Sequence, residues 1–354
     1  MNSDSRKFLE ALVNAPSPSG FEQPVQRIVR ARADKYADEV RTDVHGNVIA
    51  VKNPEGFPRV MLAGHCDQIG LMVQHITGEG YLKFAPIGGI DATILAGAAV
   101  TVHAAKGPLV GVIGRKPVHL MSPEEREKGR VDLDQLFIDI GAKDKKAAEK
   151  LVAIGDCATF NLGMRALEGD LVVAAGFDDK VGSFVAMEVL RVLKDEKLEC
   201  GLFSVSTVQE EVGLRGAHTS AFGIDPQVGI AIDVTHATDY PGTDCGKTGE
   251  IKMGEGPAIA RGANINPILG EMLINTAKKG KIPYQVEPAP RGTGTDANAI
   301  QITRAGVAAA LVSIPNRYMH TAVEVVSLGD LDNAVKVIAE TVKQISKTTD
   351  FTPL

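Results

Sequence analysis

The sequence predicts an α/β protein: a mostly parallel sheet flanked by helices, interrupted by a small inserted β-domain. Strand-like apolar runs alternate with helical segments up to residue 70 and again from about Gly169, the rhythm of parallel strands joined by crossover helices. Residues 71–168 differ, with short alternating strands broken by glycine and few helical stretches. A length of 354 residues is also long for one core, so two folding units are the default. The chain divides accordingly into residues 1–70 and 169–354, one discontinuous α/β unit, and an insert at 71–168.

Residues 4–14 and about 22–36 read as helices separated by the turn-rich Ala15-Pro-Ser-Pro-Ser-Gly20, with Pro24 tolerated in an opening turn. Val40–Thr42 and Val48–Lys52 alternate as a hairpin around His45-Gly-Asn47. Arg59–Ala63 is a near-continuous apolar run, the mark of a strand buried on both faces. Within the insert, Tyr81–Phe84, Ala99–His103 and Leu109–Ile113 read as strands. Ser122-Pro-Glu-Glu125 is a capping box with proline at the first helical position, and Lys145–Val152 is a further helical candidate. After Gly169, Leu171–Ala174 reads as a strand and Asp179–Leu193 as a helix with Val181, Val185, Val189 and Val192 on one face. Phe203–Val208, Val228–Ile232 and Ala308–Ile314 are further strands, with helices at Pro267–Lys279, Asp296–Thr303 and Asp330–Ile345. The last carries Leu331, Val335, Ile338, Val342 and Ile345 as a single stripe.

Composition narrows the function. Hydrophobic residues at 44% and charged residues at 23% are ordinary for a soluble globular protein. A formal net charge of -6 and the lack of a Lys/Arg run argue against a nucleic-acid partner. No stretch approaches the ~18 apolar residues of a membrane span, and the charged opening segment is unlike a signal peptide. The cysteines, Cys66, Cys157, Cys200 and Cys245, are far apart and form no CxxC pair. That usage fits reduced thiols in the cytoplasm and excludes a cysteine-based zinc site. Cys66 lies between His65 and Asp67; if those two share a strand face, Cys66 points away from it.

Acids and histidines recur where strands end, and ligands of parallel sheets bind at the strands' carboxyl ends. They are His65 and Asp67 in Ala63-Gly-His-Cys-Asp67, the pair Asp178-Asp179, Glu210-Glu211 in Gln209-Glu-Glu-Val-Gly213, Asp233, and His320 in Arg317-Tyr-Met-His-Thr321. Each alone is weak. His-x-Asp is common, Asp178-Asp179 could be an acidic helix cap, and adjacent glutamates are usually a solvated pair. Here Glu210-Glu211 follows an apolar strand directly, where unpaired buried carboxylates would be costly. Together the set suits a pair of divalent metals, with Asp178 giving one oxygen to each and one acid left over as a base for water. Adjacent glutamates point different ways, which suits one as ligand and its neighbour as base. His45, His75 and His103 lack acidic company and His119 sits in the insert, whereas His218 and His236 lie near enough to the motifs for supporting or substrate contacts.

The ordered set resembles the tetrahedral, deblocking or glutamyl aminopeptidases among the co-catalytic di-metal exopeptidases. It comprises His-x-Asp, Phe177-Asp-Asp-Lys-x-Gly182, Gln209-Glu-Glu-Val-Gly213, Asp233 and Arg317-Tyr-Met-His-Thr321. Further likeness lies in Pro16-Ser-Pro-Ser-Gly-Phe21, Asp43-Val-His-Gly-Asn47, Lys116–Glu125 and Gly292-Thr-Gly-Thr-Asp296, and runs from about residue 8 to 345. The resemblance implies a zinc-exopeptidase-like catalytic fold with a PDZ-like insert that mediates dimerisation. It implies that His65, Asp178 and Asp233 hold one metal and Asp178, Glu211 and His320 the other. It also implies Glu210 as general base and Asp67 as support for His65, with Asp179 no ligand. Two divalent ions per subunit are implied, with zinc expected and cobalt or manganese compatible with the donor set. Dimers assembling to a dodecamer that acts on short peptides are implied too.

The expected chemistry is hydrolysis of the first peptide bond, by water activated between metals about 3.5–4 Å apart and deprotonated by Glu210. Arg261, Arg291 and Lys247 are the sequence's candidates for binding an acidic side chain. Rival expectations are a metallo-deacylase or dipeptidase on the same scaffold, an endo-β-glucanase, and a metal-free binding scaffold. A glucanase would want aromatic platforms, yet the chain has no tryptophan and only 5% aromatics. A scaffold would have lost a ligand, and none is lost.

Overall fold

The computed structural model describes residues 1–123 and 131–353. The capping turn at Ser122-Pro-Glu-Glu125 lies partly outside them. Strands β1 (Glu39–Thr42), β2 (Val48–Lys52) and β3 (Arg59–His65) precede the insert. The insert supplies β4 (Gly70–Ile76), β5 (Leu82–Ile87), β6 (Ala99–Ala104), β7 (Gly107–Gly114), β8 (Phe137–Asp139) and β9 (Cys157–Phe160). Then come β10 (Arg165–Ala166), β11 (Leu171–Ala174), β12 (Gly201–Thr207) and β13 (Val228–His236), followed by β14 (Ala258–Gly262), β15 (Gln285–Ala289), β16 (Ala308–Asn316) and β17 (Glu324–Ser327).

Eight strands form the main sheet in the order β1-β2-β12-β3-β13-β16-β14-β15. Its centre, β12-β3-β13-β16, is wholly parallel, as the buried apolar runs of those strands require. The β1–β2 hairpin extends one edge in antiparallel fashion, and β14 runs antiparallel to β16 while parallel to β15. Strands β4 to β9 close into a six-stranded barrel in the order β4-β5-β8-β7-β6-β9, and closure removes free edges. The barrel has its own apolar core around Leu71, Val73, Leu82, Val100, Val102 and Ile138, separate from the main core.

Two elements depart from expectation. Leu171–Ala174 forms its strand but belongs to a small antiparallel sheet, β10-β11-β17, and not to the parallel core. The helix Phe177–Val192 is buried all round from Phe177 to Leu190, not along one stripe, and Val192 is exposed. This helix is sandwiched between β3, β12 and β13 on one side and the helices Ser3–Asn14, Gln23–Ala33 and Leu328–Val342 on the other. Its buried Glu188 is neutralised by Arg32 and Arg191 and accepts from the Ser5 hydroxyl, so the enclosed charge is paired. No helix among the described residues is long and apolar enough to cross a membrane. All the cysteines are free thiols, with only Cys245 exposed.

Candidate metal centre

The central parallel strands deliver the site at their carboxyl ends. His65 closes β3 beside Thr207, the last residue of β12, and Glu210-Glu211 follow in the loop after it. Asp233 lies in β13, which runs three residues beyond it to His236, so the strand is longer than its apolar run suggests. Asp178 comes from the opening turn of the helix Phe177–Val192, where Asp178 and Asp179 have non-helical backbone angles. His320 sits in the turn between β16 and β17 with φ of 61°, in the left-handed region.

Two groups of potential ligands result, and they share Asp178. His65, Asp178 and Asp233 form one; Asp178, Glu211 and His320 form the other, the donor atoms of each lying within 4.8 Å of one another. The shared carboxylate is split between them. Its Oδ1 is 3.3 Å from His65 Nε2 and its Oδ2 is 3.1 Å from His320 Nε2. Glu210 Oε2 is 3.7 Å from His65 Nε2, and Glu211 Oε1 is 3.6 Å from His320 Nε2. Glu210 belongs to neither ligand group. It stands at the wall of the cleft that both groups open into.

Both imidazoles are oriented by carbonyl oxygens, which can only accept. His65 Nδ1 donates to the Asp67 carbonyl at 3.1 Å and His320 Nδ1 to the Gly89 carbonyl at 2.8 Å. With Nδ1 committed as a donor, loss of the other ring proton would leave each Nε2 lone pair directed at the carboxylates, the tautomer a metal ligand needs. The Asp67 carboxylate is 3.5 Å from His65 Nδ1, but its hydrogen bonds go elsewhere. It accepts from the amides of Glu210 (3.0 Å) and Glu211 (3.2 Å) and from the Ser19 hydroxyl (2.7 Å). Asp67 thus positions the glutamate pair as well as the histidine. Asp179 has no place in either ligand group. Its Oδ2 accepts the His65 amide at 3.1 Å and its Oδ1 the Gly182 amide at 3.0 Å, tying helix to strand.

The remaining motif residues brace this loop system. Asn47 accepts the Val208 amide at 3.1 Å and donates to Asp43 and to the Gly216 carbonyl, holding the glutamate loop from the hairpin side. Thr295 caps the helix Asp296–Gln301, and Asp296 accepts from Thr207 at 2.6 Å just before that loop. Two contributors escape sequence reasoning. Glu324, buried at the start of β17, accepts the Asp178 amide through Oε2 and the His320 amide through Oε1, both at 3.0 Å. Gly88-Gly89 reaches in from the barrel, where a Cβ on Gly88 would stand 2.9 Å from Glu211 Oε2. Neither carries a local pattern; only the β17 pairing and the barrel's docking bring them in.

Electrostatics show how a cation would be received. Burial alone would depress the His65 imidazolium, yet Glu210, Asp178 and Asp67 hold it well above the ordinary histidine range. The hydrogen bond to Asp178 raises His320 to about 9. Burial opposes ionisation of Asp178, but His320 and His65 outweigh it and hold that carboxyl below its usual value. Burial pushes Glu210 up to about 9 and, with Asp178 adding repulsion, Glu211 up to about 7; it also drives Asp233 well above its normal range. More buried carboxylates converge than two imidazoles can neutralise, and Glu211 Oε1 has no hydrogen-bond partner among the described residues. His/carboxylate donors without sulfur fit divalent ions such as zinc, cobalt or manganese. Of the basic residues named for an acidic substrate, only Arg291 lines the cleft. Lys247 and Arg261 line a separate depression.

Comparison with known proteins identifies the family. The chain is 40% identical to the lysyl aminopeptidase of Pyrococcus furiosus over 98% of its length and 99% of the relative's. The TET aminopeptidase structure of a marine sediment Thaumarchaeota archaeon superposes with a TM-score of 0.93 at 37% identity, covering 98% of both chains. The TET1 peptidase of Pyrococcus horikoshii, which can assemble into a tetrahedron or a large octahedral shell, gives 0.85 at 34% identity over 96% of this chain and 100% of that one. The model of the M42 glutamyl aminopeptidase family matches residues 46–337, and the protein belongs to that family of metallopeptidases.

Proposed function

We propose that this protein is a two-metal aminopeptidase that removes N-terminal residues from short peptides. The observation that carries the proposal is the division of the Asp178 carboxylate between His65 and His320, at 3.3 and 3.1 Å. One ion is assigned to His65, Asp178 and Asp233, the other to Asp178, Glu211 and His320, with zinc the expected metal and cobalt or manganese alternatives. When bound, such ions supply Lewis-acid polarisation of the scissile carbonyl and lower the pKa of water. Glu210 acts as the base. It accepts the proton of the attacking water and returns it to the departing amine. Its backbone is fixed for that task by Asp67. The barrel is assigned to self-association, by analogy with the assembling Pyrococcus horikoshii relative, and the site of action to the cytoplasm.

The test is an unblocked peptide assayed beside its N-acetylated form. A chelator should abolish cleavage of the former, and zinc or cobalt should restore it, while the acetylated peptide is cut far more slowly. Equal cleavage of both peptides would point to a deacylase or endopeptidase instead. Metal-independent hydrolysis of carboxymethylcellulose would revive the glucanase alternative. Multi-angle light scattering of the purified protein tests assembly, and a monomer at micromolar concentration rules it out.

A further inference from the structure

The cleft of about 640 Å³ reaches beyond the metal ligands along Thr235, Glu287 and the segment Arg291–Thr295. Thr235 lies two residues past Asp233 in β13, on the same face of the strand and ~7 Å further along it. Its hydroxyl donates to Glu287 Oε1 at 2.6 Å, which fixes that carboxylate in the cleft wall. Glu287 Oε2 is buried and has no hydrogen-bond partner among the described residues. One neutral donor is poor compensation for a largely enclosed carboxylate, which ordinarily finds a cation. Among the described residues the basic group that acts on Glu287 is His236, and not a lysine or arginine. Arg291, the one permanent cation of this wall among the described residues, is exposed.

We propose that Glu287 is the specificity-determining residue for the first position of the substrate, where it receives the cationic side chain of a lysine or arginine. A peptide whose amino terminus is anchored beside the metal ligands must place its first side chain in this cleft. The four-carbon stem of lysine is of a length to carry its ammonium from the cluster toward the Thr235–Glu287 pair. Leucine would leave the carboxylate unpaired, and glutamate would add repulsion. The proposal rests on the aminopeptidase function argued above.

The test uses the metal-loaded protein and aminoacyl-amide substrates with lysine, arginine, norleucine, leucine or glutamate at the first position. Norleucine keeps the lysine stem and lacks the charge. Lysine and arginine should exceed norleucine in kcat/KM by ~10-fold or more, the scale of a close charge pair. Glu287→Gln should lower that ratio at least ~10-fold, and Glu287→Asp should keep part of it. As a readout without turnover, lysinol, which has no scissile amide, should raise the melting temperature more than norleucinol does, and Glu287→Gln should erase the difference. A wild-type ranking with norleucine or glutamate at or above lysine overturns the proposal, even if the variant fails to fold. So does an equal loss on lysine and norleucine in Glu287→Gln. Cleavage of none of the five substrates would reject the aminopeptidase function itself, whereas cleavage without a basic preference rejects only the role of Glu287.

Discussion

Gly64 on β3 and Gly182 in the helix Phe177–Val192 stand back to back: a Cβ on Gly64 would lie 2.2 Å from the Gly182 carbonyl carbon. The contact is backbone on backbone, so neither side can yield by rotating a side chain. It lets the helix settle close enough for Asp179 to accept the amide of His65 and for Asp178 to face the His65 ring. Gly64→Ala should therefore cost ~1–3 kcal/mol by overpacking, read from denaturant melts, and should also lower metal content. An unchanged melt would mean that helix and strand can separate without penalty.

The adjacent glutamates should separate cleanly. Glu210→Gln should keep both metals and lose ~10²–10⁴-fold in kcat with little change in KM, because only proton transfer is removed. Glu211→Gln should instead lower metal occupancy and be partly rescued by added metal. Asp178→Asn should be the most damaging, since it stands in both ligand groups. Elemental analysis beside kcat decides, and equal metal loss in the two glutamate variants would falsify the assignment of Glu210 as base.

Glu324 holds the amides of Asp178 and His320 from beneath without belonging to either ligand group. Glu324→Gln leaves one good acceptor for two donors, so metal affinity should fall ~10–100-fold, as for other residues that orient ligands. Competition with a chromophoric chelator measures this directly. Wild-type affinity in the variant would reduce Glu324 to a fold-stabilising role.

Gly88 tests whether the barrel matters to the site. Its φ of 73° disfavours any side chain, and a Cβ there would approach Glu211 Oε2 to 2.9 Å. Gly88→Ala should displace Glu211 and reduce metal content toward that of Glu211→Gln. Full occupancy in Gly88→Ala would show that the loop gives way and does not set the position of Glu211.

Metal removal should make stability fall as pH rises. In the metal-free site burial lifts Glu210 to about 9, Glu211 to about 7 and Glu324 to about 8, and Asp178 lifts His320 to about 9. All these folded values exceed the unfolded ones, so the native state binds more protons between pH ~4.5 and 9 and stability declines across that window. Asp178, held below its usual value, gives the opposite slope only at pH under ~4, and Lys180, lowered by burial to about 7, offsets part of the decline above pH ~7 without outweighing the four raised groups. Melting temperature of the chelator-treated protein at pH 6, 7.5 and 9 checks this. Metal loading should release protons and flatten the trend.

The local pattern marked which acids and histidines gather at one edge of the sheet. His65, Asp178, Glu210, Glu211, Asp233 and His320 could be found because each sits at or beside an apolar run, and runs of that kind become parallel strands whose carboxyl ends converge. The glycine-broken texture of the insert was legible for the same reason, since period-two alternation and turn residues are short-range signals. What the sequence left undecided depends on contacts between distant segments. Burial of the helix Phe177–Val192 on every side was hidden because the apolar stripe reports one face only, while Arg32 and Ser5 enclose its Glu188 from other helices. The transfer of Leu171–Ala174 to a separate antiparallel sheet depends on pairing with β17, at least 150 residues away. Glu324, Gly88, Gly89 and Glu287 lie in no chemical motif, and their roles come from where folding puts a carboxylate, a carbonyl or a missing side chain. The candidate ligands are thus marked by residue type at strand ends. The orientation of these side chains is set by hydrogen bonds that exist only once the sheet and barrel have closed around the cleft.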